Sequence, residues 1–176
     1  EFKQSIEKLV NNNGRSLDLP SGTYLTNTFT IPSNFSINGS GNNTTIKQQY
    51  FATDLNDGTS TNLNLEGNIV GLGTTSGKDI SLNDITFDGN NGNNIVYQSS
   101  LDNYLLYFPN IEESTFSNIR VKNAPADGIY LENSTRVNLN TVSITDGSLT
   151  DREDYTPLYT QSSNLLRINN SLFENY

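Results

Sequence analysis

The chain has 176 residues, enough for one domain with a core but not for two. Only 16% of residues are charged and 33% hydrophobic, whereas 28 Asn, 19 Ser and 19 Thr fill 66 positions, which disfavours a helical bundle because these side chains compete for backbone hydrogen bonds. A net charge of −9 repels nucleic acid, the lack of His removes a Ser-His-Asp triad or imidazole base, and the lack of Cys removes disulfides and thiol nucleophiles. No apolar run approaches the roughly 20 residues of a membrane span.

At the start of the chain, Phe2, Ile6, Leu9 and Val10 share one face of a helical pattern that Asn11-Asn12-Asn13-Gly14 ends. This predicts a capping helix over residues 1–14, with the remaining 15–176 as one all-β unit. An irregular excursion is expected at about 48–62.

From residue 80 the sequence repeats. ISLNDITFDG (80–89), STFSNIRVKN (114–123), VNLNTVSITD (137–146) and RINNSLFEN (167–175) share a frame: Leu82/Ile85/Phe87, Phe116/Ile119/Val121, Leu139/Val142/Ile144 and Ile168/Ser171/Phe173. The copies are 34, 23 and 29 residues apart. A second set, LYF (106–108), IYL (129–131) and LYT (158–160), stands eight residues upstream of the last three copies each time. A fixed offset with variable spacing means one structural unit with insertions at one corner.

Each unit alternates with period two and holds three short strands, for example 128–132, 136–139 and 142–145. Asn-Gly hairpin signatures are missing at the bends, so the chain winds onward, each strand pairing in parallel one repeat away. Positions 83/84, 117/118, 140/141 and 169/170 place Asn-Asp, Ser-Asn, Asn-Thr and Asn-Asn at one bend, and Asn110/Asn133/Ser162 mark a second. Asn tolerates left-handed backbone and its amide bonds from turn to turn. The chain ends inside a repeat at Phe173-Glu174-Asn175-Tyr176, so a longer protein or a partner chain is expected over that end.

Residues 17–46, LDLPSGTYLTNTFTIPSNFSINGSGNNTTI, and 127–147, DGIYLENSTRVNLNTVSITDG, resemble the pectate-lyase-like superfamily of right-handed parallel β-helices, which includes phage tailspikes and secreted polysaccharide-degrading enzymes. The resemblance implies a solenoid of three-strand turns, a polysaccharide partner and a place outside the cell or on a virion surface. Trimers, which such appendages can form, are marked by no motif here. A polygalacturonase mechanism is not supported: Ala126-Asp127-Gly128 half matches its first motif, Asp146 stands where it has paired Asp, and its His is absent.

Alternation places Leu106/Phe108, Ile129/Leu131 and Leu158/Thr160 inward and Tyr107, Tyr130 and Tyr159 outward, with Pro109, Glu132 and Gln161 two residues on. An exposed tyrosine column suits sugar rings, whose C–H faces pack on aromatic faces. The competing reading is that the tyrosines stabilise the sheet or pack under a loop. Asp79/Glu113/Arg136 and Asp88/Lys122 fall in adjacent turns and read as structural ion pairs. Glu132, Asp127, Asp146 and Asp154 remain as candidate catalytic acids, with Tyr107, Tyr130, Tyr159, Gln161 and Arg152 as candidate substrate contacts. Insertions 90–104 and 147–157 would bring loops to this face. Paired carboxylates would hydrolyse a glycosidic bond. Alternatively, grouped acids would hold Ca²⁺ beside Arg152 for an elimination, the one route that implies a cofactor. The alternative to both is a solvated acidic loop on a non-catalytic adhesin or fibre segment.

Overall fold

The computed structural model describes residues 4–5, 8–9, 12–26, 29–48, 70–71, 77–90, 104–124, 127–145 and 156–174. These residues are nearly all strand and turn, and every strand pairing among them is parallel, consistent with a β-helix. The longest sheet orders Ser16–Asp18, Phe35–Asn38, Ile80–Asp88, Thr115–Lys122, Asn138–Thr145 and Arg167–Asn169, with Gly22–Thr26, Thr44–Gln48 and Leu172–Phe173 completing its far side. A second sheet orders Leu158–Gln161, Asp127–Glu132, Tyr104–Pro109 and Val70–Gly71. A third pairs Gly77–Lys78 with Ile111–Glu112 and continues through bridges from Glu112 to Thr135 and from Thr135 to Asn164.

The register follows the repeat frame residue for residue. Leu82 pairs with Phe116, Phe116 with Leu139 and Leu139 with Ile168, while Tyr107 pairs with Tyr130 and Tyr130 with Tyr159. Inward residues therefore stack in columns. Ile37, Leu82, Phe116 and Leu139 form one, and Ile46, Phe87, Val121 and Ile144 another, all fully buried. Each large apolar side chain so buried contributes about 1.5–3 kcal/mol of transfer free energy. The uninterrupted columns explain why apolar residues must recur at fixed places in the frame while the loops vary.

The chain turns at single left-handed residues, mostly within the strands of the longest sheet at one bend and between strands at the others. Asp84, Asn118, Thr141 and Asn170 have φ of 58°, 53°, 56° and 49° at the first bend; Asn110, Asn133 and Ser162 have 55°, 47° and 51° at the second. Asp79, Glu113, Arg136 and Leu165 (54°, 50°, 56° and 53°) make a third column that composition does not flag. Asn118 Nδ2 donates to Asp84 Oδ1 at 2.5 Å, Asn83 Nδ2 to Asn38 Oδ1 at 2.9 Å and Asn38 Nδ2 to Asp18 Oδ1 at 2.7 Å. Backbone bonds also cross the corners, as from the Asn110 N–H to the Glu132 carbonyl at 2.7 Å and from the Asn133 N–H to the Gln161 carbonyl at 2.8 Å.

Two expectations change. The separate strands expected at 136–139 and 142–145 run as one, Asn138–Thr145, because one left-handed residue redirects the chain without interrupting the ladder on either side. No N-terminal helix is among the described elements. Residues 4–5 and 8–9 have helical backbone, Leu9 packs on the core, and its carbonyl accepts the Gly14 N–H at 2.7 Å, while the rest of 1–11 lies outside the described residues. The excursion expected at 48–62 lies outside them too, apart from Gln48.

The expected Asp88–Lys122 and Glu113–Arg136 pairs form, whereas no ion pair to Asp79 is among those of the described residues and Lys78 is the second cation on Glu113. Asp88, only 5% exposed, lies 3.4 Å from Lys122 Nζ and 3.9 Å from Lys47 Nζ, each one turn away. Burial alone would push its carboxyl up, but the Asn123 amide, the Asn90 N–H and the two ammonium groups together hold it below its ordinary value. Glu113 bridges Lys78 (3.0 Å) and Arg136 (2.9 Å) on the solvent side of the third sheet.

Two measurements check these corners. Thr141 is a β-branched residue in a left-handed position that Asn occupies in two other turns, so Thr141→Asn should stabilise the fold by about 0.5–1 kcal/mol in urea titration. Because the folded-state pKa of Asp88 is depressed, its stabilisation is present above the usual carboxylate range near 4 and is lost as pH falls below it. Asp88→Asn should therefore lose stability at neutral pH and flatten the acid side of the stability profile; an unchanged acid limb would show that other carboxylates govern it.

Candidate functional site

The tyrosine column lies on the second sheet. Its rings stack across neighbouring strands, with centroids 5.1 Å apart for Tyr107–Tyr130 and 4.9 Å for Tyr130–Tyr159. Two of the phenols are tied from strand to strand. Tyr107 OH donates to Glu132 Oε2, and Tyr130 OH donates to Gln161 Oε1. Each bond reaches from one turn to the residue two places past the paired tyrosine in the next, so Glu132 and Gln161 perform the same structural service one turn apart.

Tyr130 departs from the expected exposed platform. It is only 6% exposed, because Tyr104 packs on it at 4.3 Å and Tyr107 and Tyr159 flank it. Tyr107, Tyr104 and Glu132 are half-buried, while Tyr159 (40%) and Gln161 are exposed. The surface open to a ligand is therefore the edge of the column and its Tyr159 end, not three parallel ring faces.

Tyr104 is the member that sequence reasoning missed. Three residues before Tyr107, strict alternation sends it to the opposite face. The alternation fails at the start of this strand, where Leu105 and Leu106 are both buried, and Tyr104 comes within 5.6 Å of Tyr107. A double-leucine step just before the frame was the available signal.

The candidate acids are not all brought together. Asp127 and Glu132 begin and end one strand, so their backbones lie roughly 16 Å apart at the usual rise per residue. A glycosidase pair needs its carboxyl groups about 5–9.5 Å apart, and this backbone spacing does not favour these two as one acid–base couple. Asp127 instead braces the corner: its Oδ1 accepts the Thr156 N–H at 2.7 Å. Next to it, Gly128 lets the strand approach closely, since a Cβ there would sit 2.5 Å from Ile144 and 2.6 Å from the Pro157 carbonyl. Asp146, Asp154 and Arg152 lie outside the described residues, as does most of each insertion, 91–103 and 146–155. Among the described residues no cluster of acids is arranged to hold a metal ion, and no helix is long and apolar enough to cross a membrane.

What the site offers chemically is a half-buried carboxylate oriented by a phenol, an exposed amide one turn further on, and aromatic edges between them. The carboxylate accepts hydrogen bonds only, the amide both donates and accepts, and the rings offer apolar surface.

Neither a family model nor a curated protein matches the chain. Solved structures do, two of them as follows. A protein titled a "putative glycosyl hydrolase" from Parabacteroides merdae ATCC 43184 superposes with a TM-score of 0.68 at 13% identity, over 97% of this chain and 85% of its own. ORF18 of Geobacillus virus E2 superposes with a TM-score of 0.68 at 20% identity, over 94% of this chain. This chain spans about a third of the viral protein, 32% of its length. At such identities the likeness speaks to the fold, which resembles those of a glycosyl-hydrolase-type and a phage protein.

The contrast in burial predicts a contrast in stability. Tyr130→Ala should cost about 3–5 kcal/mol by chemical denaturation, as for other buried aromatic truncations, and Tyr159→Ala less than about 1 kcal/mol. Equal losses would mean that the column is not organised around Tyr130.

Proposed function

We propose that this chain is a right-handed parallel β-helix of the phage tail-appendage kind, and that its tyrosine face binds a host surface polysaccharide. Its place would be on a virion or otherwise outside the cell. The observation that carries the reading is the column itself: Tyr107, Tyr130 and Tyr159 in register on neighbouring strands, with Glu132 and Gln161 beside them. Strands about 4.8 Å apart repeat the same side chains along the axis, which suits an extended ligand made of repeating units. Sugar rings would pack on Tyr159 and the edge of Tyr107 while their hydroxyls bond Glu132 and Gln161. The two structural neighbours, one titled a "putative glycosyl hydrolase" and one viral, support this reading by fold only. A homotrimer would agree with it, and oligomeric state is measured independently.

Cleavage is the second reading, and the orientation of Glu132 by the Tyr107 phenol favours it. Glu132 would act as base or nucleophile, with Asp146 and Asp154 as the candidates for its acid partner. Were the reaction an elimination, Arg152 and a bound Ca²⁺ would enter.

Incubation with cell-wall and capsular polysaccharides, followed by assays for reducing ends and for the ultraviolet absorbance of unsaturated uronates, tests both readings. Retention without products supports the adhesin-like form. If products appear, Glu132→Gln should lower turnover by at least about a hundredfold, the usual scale for a general acid or base; unchanged turnover removes Glu132 from the chemistry. Tyr159→Ala should weaken binding about tenfold with little loss of stability, and unchanged binding would remove the ring from the site.

A further inference from the structure

The charge of the tyrosine face narrows the ligand class, an inference that rests on the binding site proposed above. The three strands that carry the column, Tyr104–Pro109, Asp127–Glu132 and Leu158–Gln161, contain no Lys or Arg and two acids, Asp127 and Glu132. Four cations of the other two sheets are already engaged: Lys47 and Lys122 with Asp88, Lys78 with Glu113, and Arg136 with Glu112 and Glu113. The chain as a whole carries a net charge of −9.

An acidic polysaccharide docked on this face would bring its own carboxylates or sulfates against Glu132 with no cation from the carrying strands to offset them. The repulsion acts within a Debye length of about 10 Å at 0.1 M salt. A hydroxyl, by contrast, donates to Glu132 and exchanges hydrogen bonds with Gln161 at no such cost. We propose that the tyrosine face selects glycans that carry neither carboxylate nor sulfate, its hydroxyl-bonding groups being Glu132 and Gln161 and its apolar contact Tyr159. The same charge argument works against elimination on a polyuronate, which needs a cation to hold the uronate.

The test is equilibrium binding of the whole chain to an immobilised panel. The carboxylate-free members are glucans, galactans, mannans and N-acetylhexosamine chains; the acidic members are polygalacturonate, alginate and chondroitin sulfate; carboxyl-reduced polygalacturonate and alginate are the matched controls. At roughly 20 mM salt the best carboxylate-free glycan should bind at least about threefold more tightly than any acidic one, the effect of one ligand carboxylate opposing Glu132 at about 6 Å in water. Carboxyl reduction should improve binding, and raising salt to about 0.5 M should narrow the gap as screening tightens. Equal or tighter binding of an acidic member overturns the charge inference and leaves the binding site standing. Retention of no glycan at all overturns the site itself, and the inference with it.

Discussion

Parallel backbone pairing between residues one repeat apart is the constraint from which the rest follows. Once Leu82, Phe116, Leu139 and Ile168 are hydrogen-bonded neighbours, every other column is set, because the frame carries the remaining residues with it. Inside, this produces apolar stacks that are buried without interruption from Ile37 to Leu139. Outside, it stacks like on like. A tyrosine then meets a tyrosine, an Asn amide meets an Asn or Asp, and a carboxylate has to meet a cation or suffer repulsion.

Those outer columns show how the chain manages that consequence. Asp88 is set between Lys47 and Lys122, and Glu113 between Lys78 and Arg136, so each of these carboxylates meets cations from both neighbouring strands. The corners use a single left-handed residue per turn, often Asn or Asp, and the amides bond from one turn to the next. Tightness at Gly128, where no side chain would fit, belongs to the same economy of space. The exposed pairs contribute little individually, and the core columns carry most of the stability.

The tyrosine face sits where this regularity meets a variable corner. The hydroxyls of Tyr107 and Tyr130 are spent on the neighbouring strand, with Glu132 and Gln161 as acceptors, so the column is first a structural device. The same bonds hold a carboxylate and an amide in fixed orientation at the surface, which is what a ligand made of repeating sugar units would require. Structure and proposed recognition are thus two uses of one ladder. The distance between Asp127 and Glu132 separates their roles, with Asp127 bracing the Thr156 corner and Glu132 left at the face.

How much of this was legible in the sequence differs by element. The register of the copies, the inward columns, the Asn bends and the Asp88–Lys122 and Glu113–Arg136 pairs were readable because each depends on a frame that repeats in one dimension, and repetition survives in a linear string. The packing of the tyrosines was not. Tyr104 joins the cluster only because Leu105 and Leu106 both turn inward, and Tyr130 is buried only because three other rings close around it. Such a break in alternation and such a closure depend on where neighbouring turns press against each other, a quantity no single strand carries. The sequence by itself determined which residues stack, since period and spacing are properties of the string; tertiary contact alone decided which stacked groups stay open to solvent, since exposure depends on what lies beside and above them.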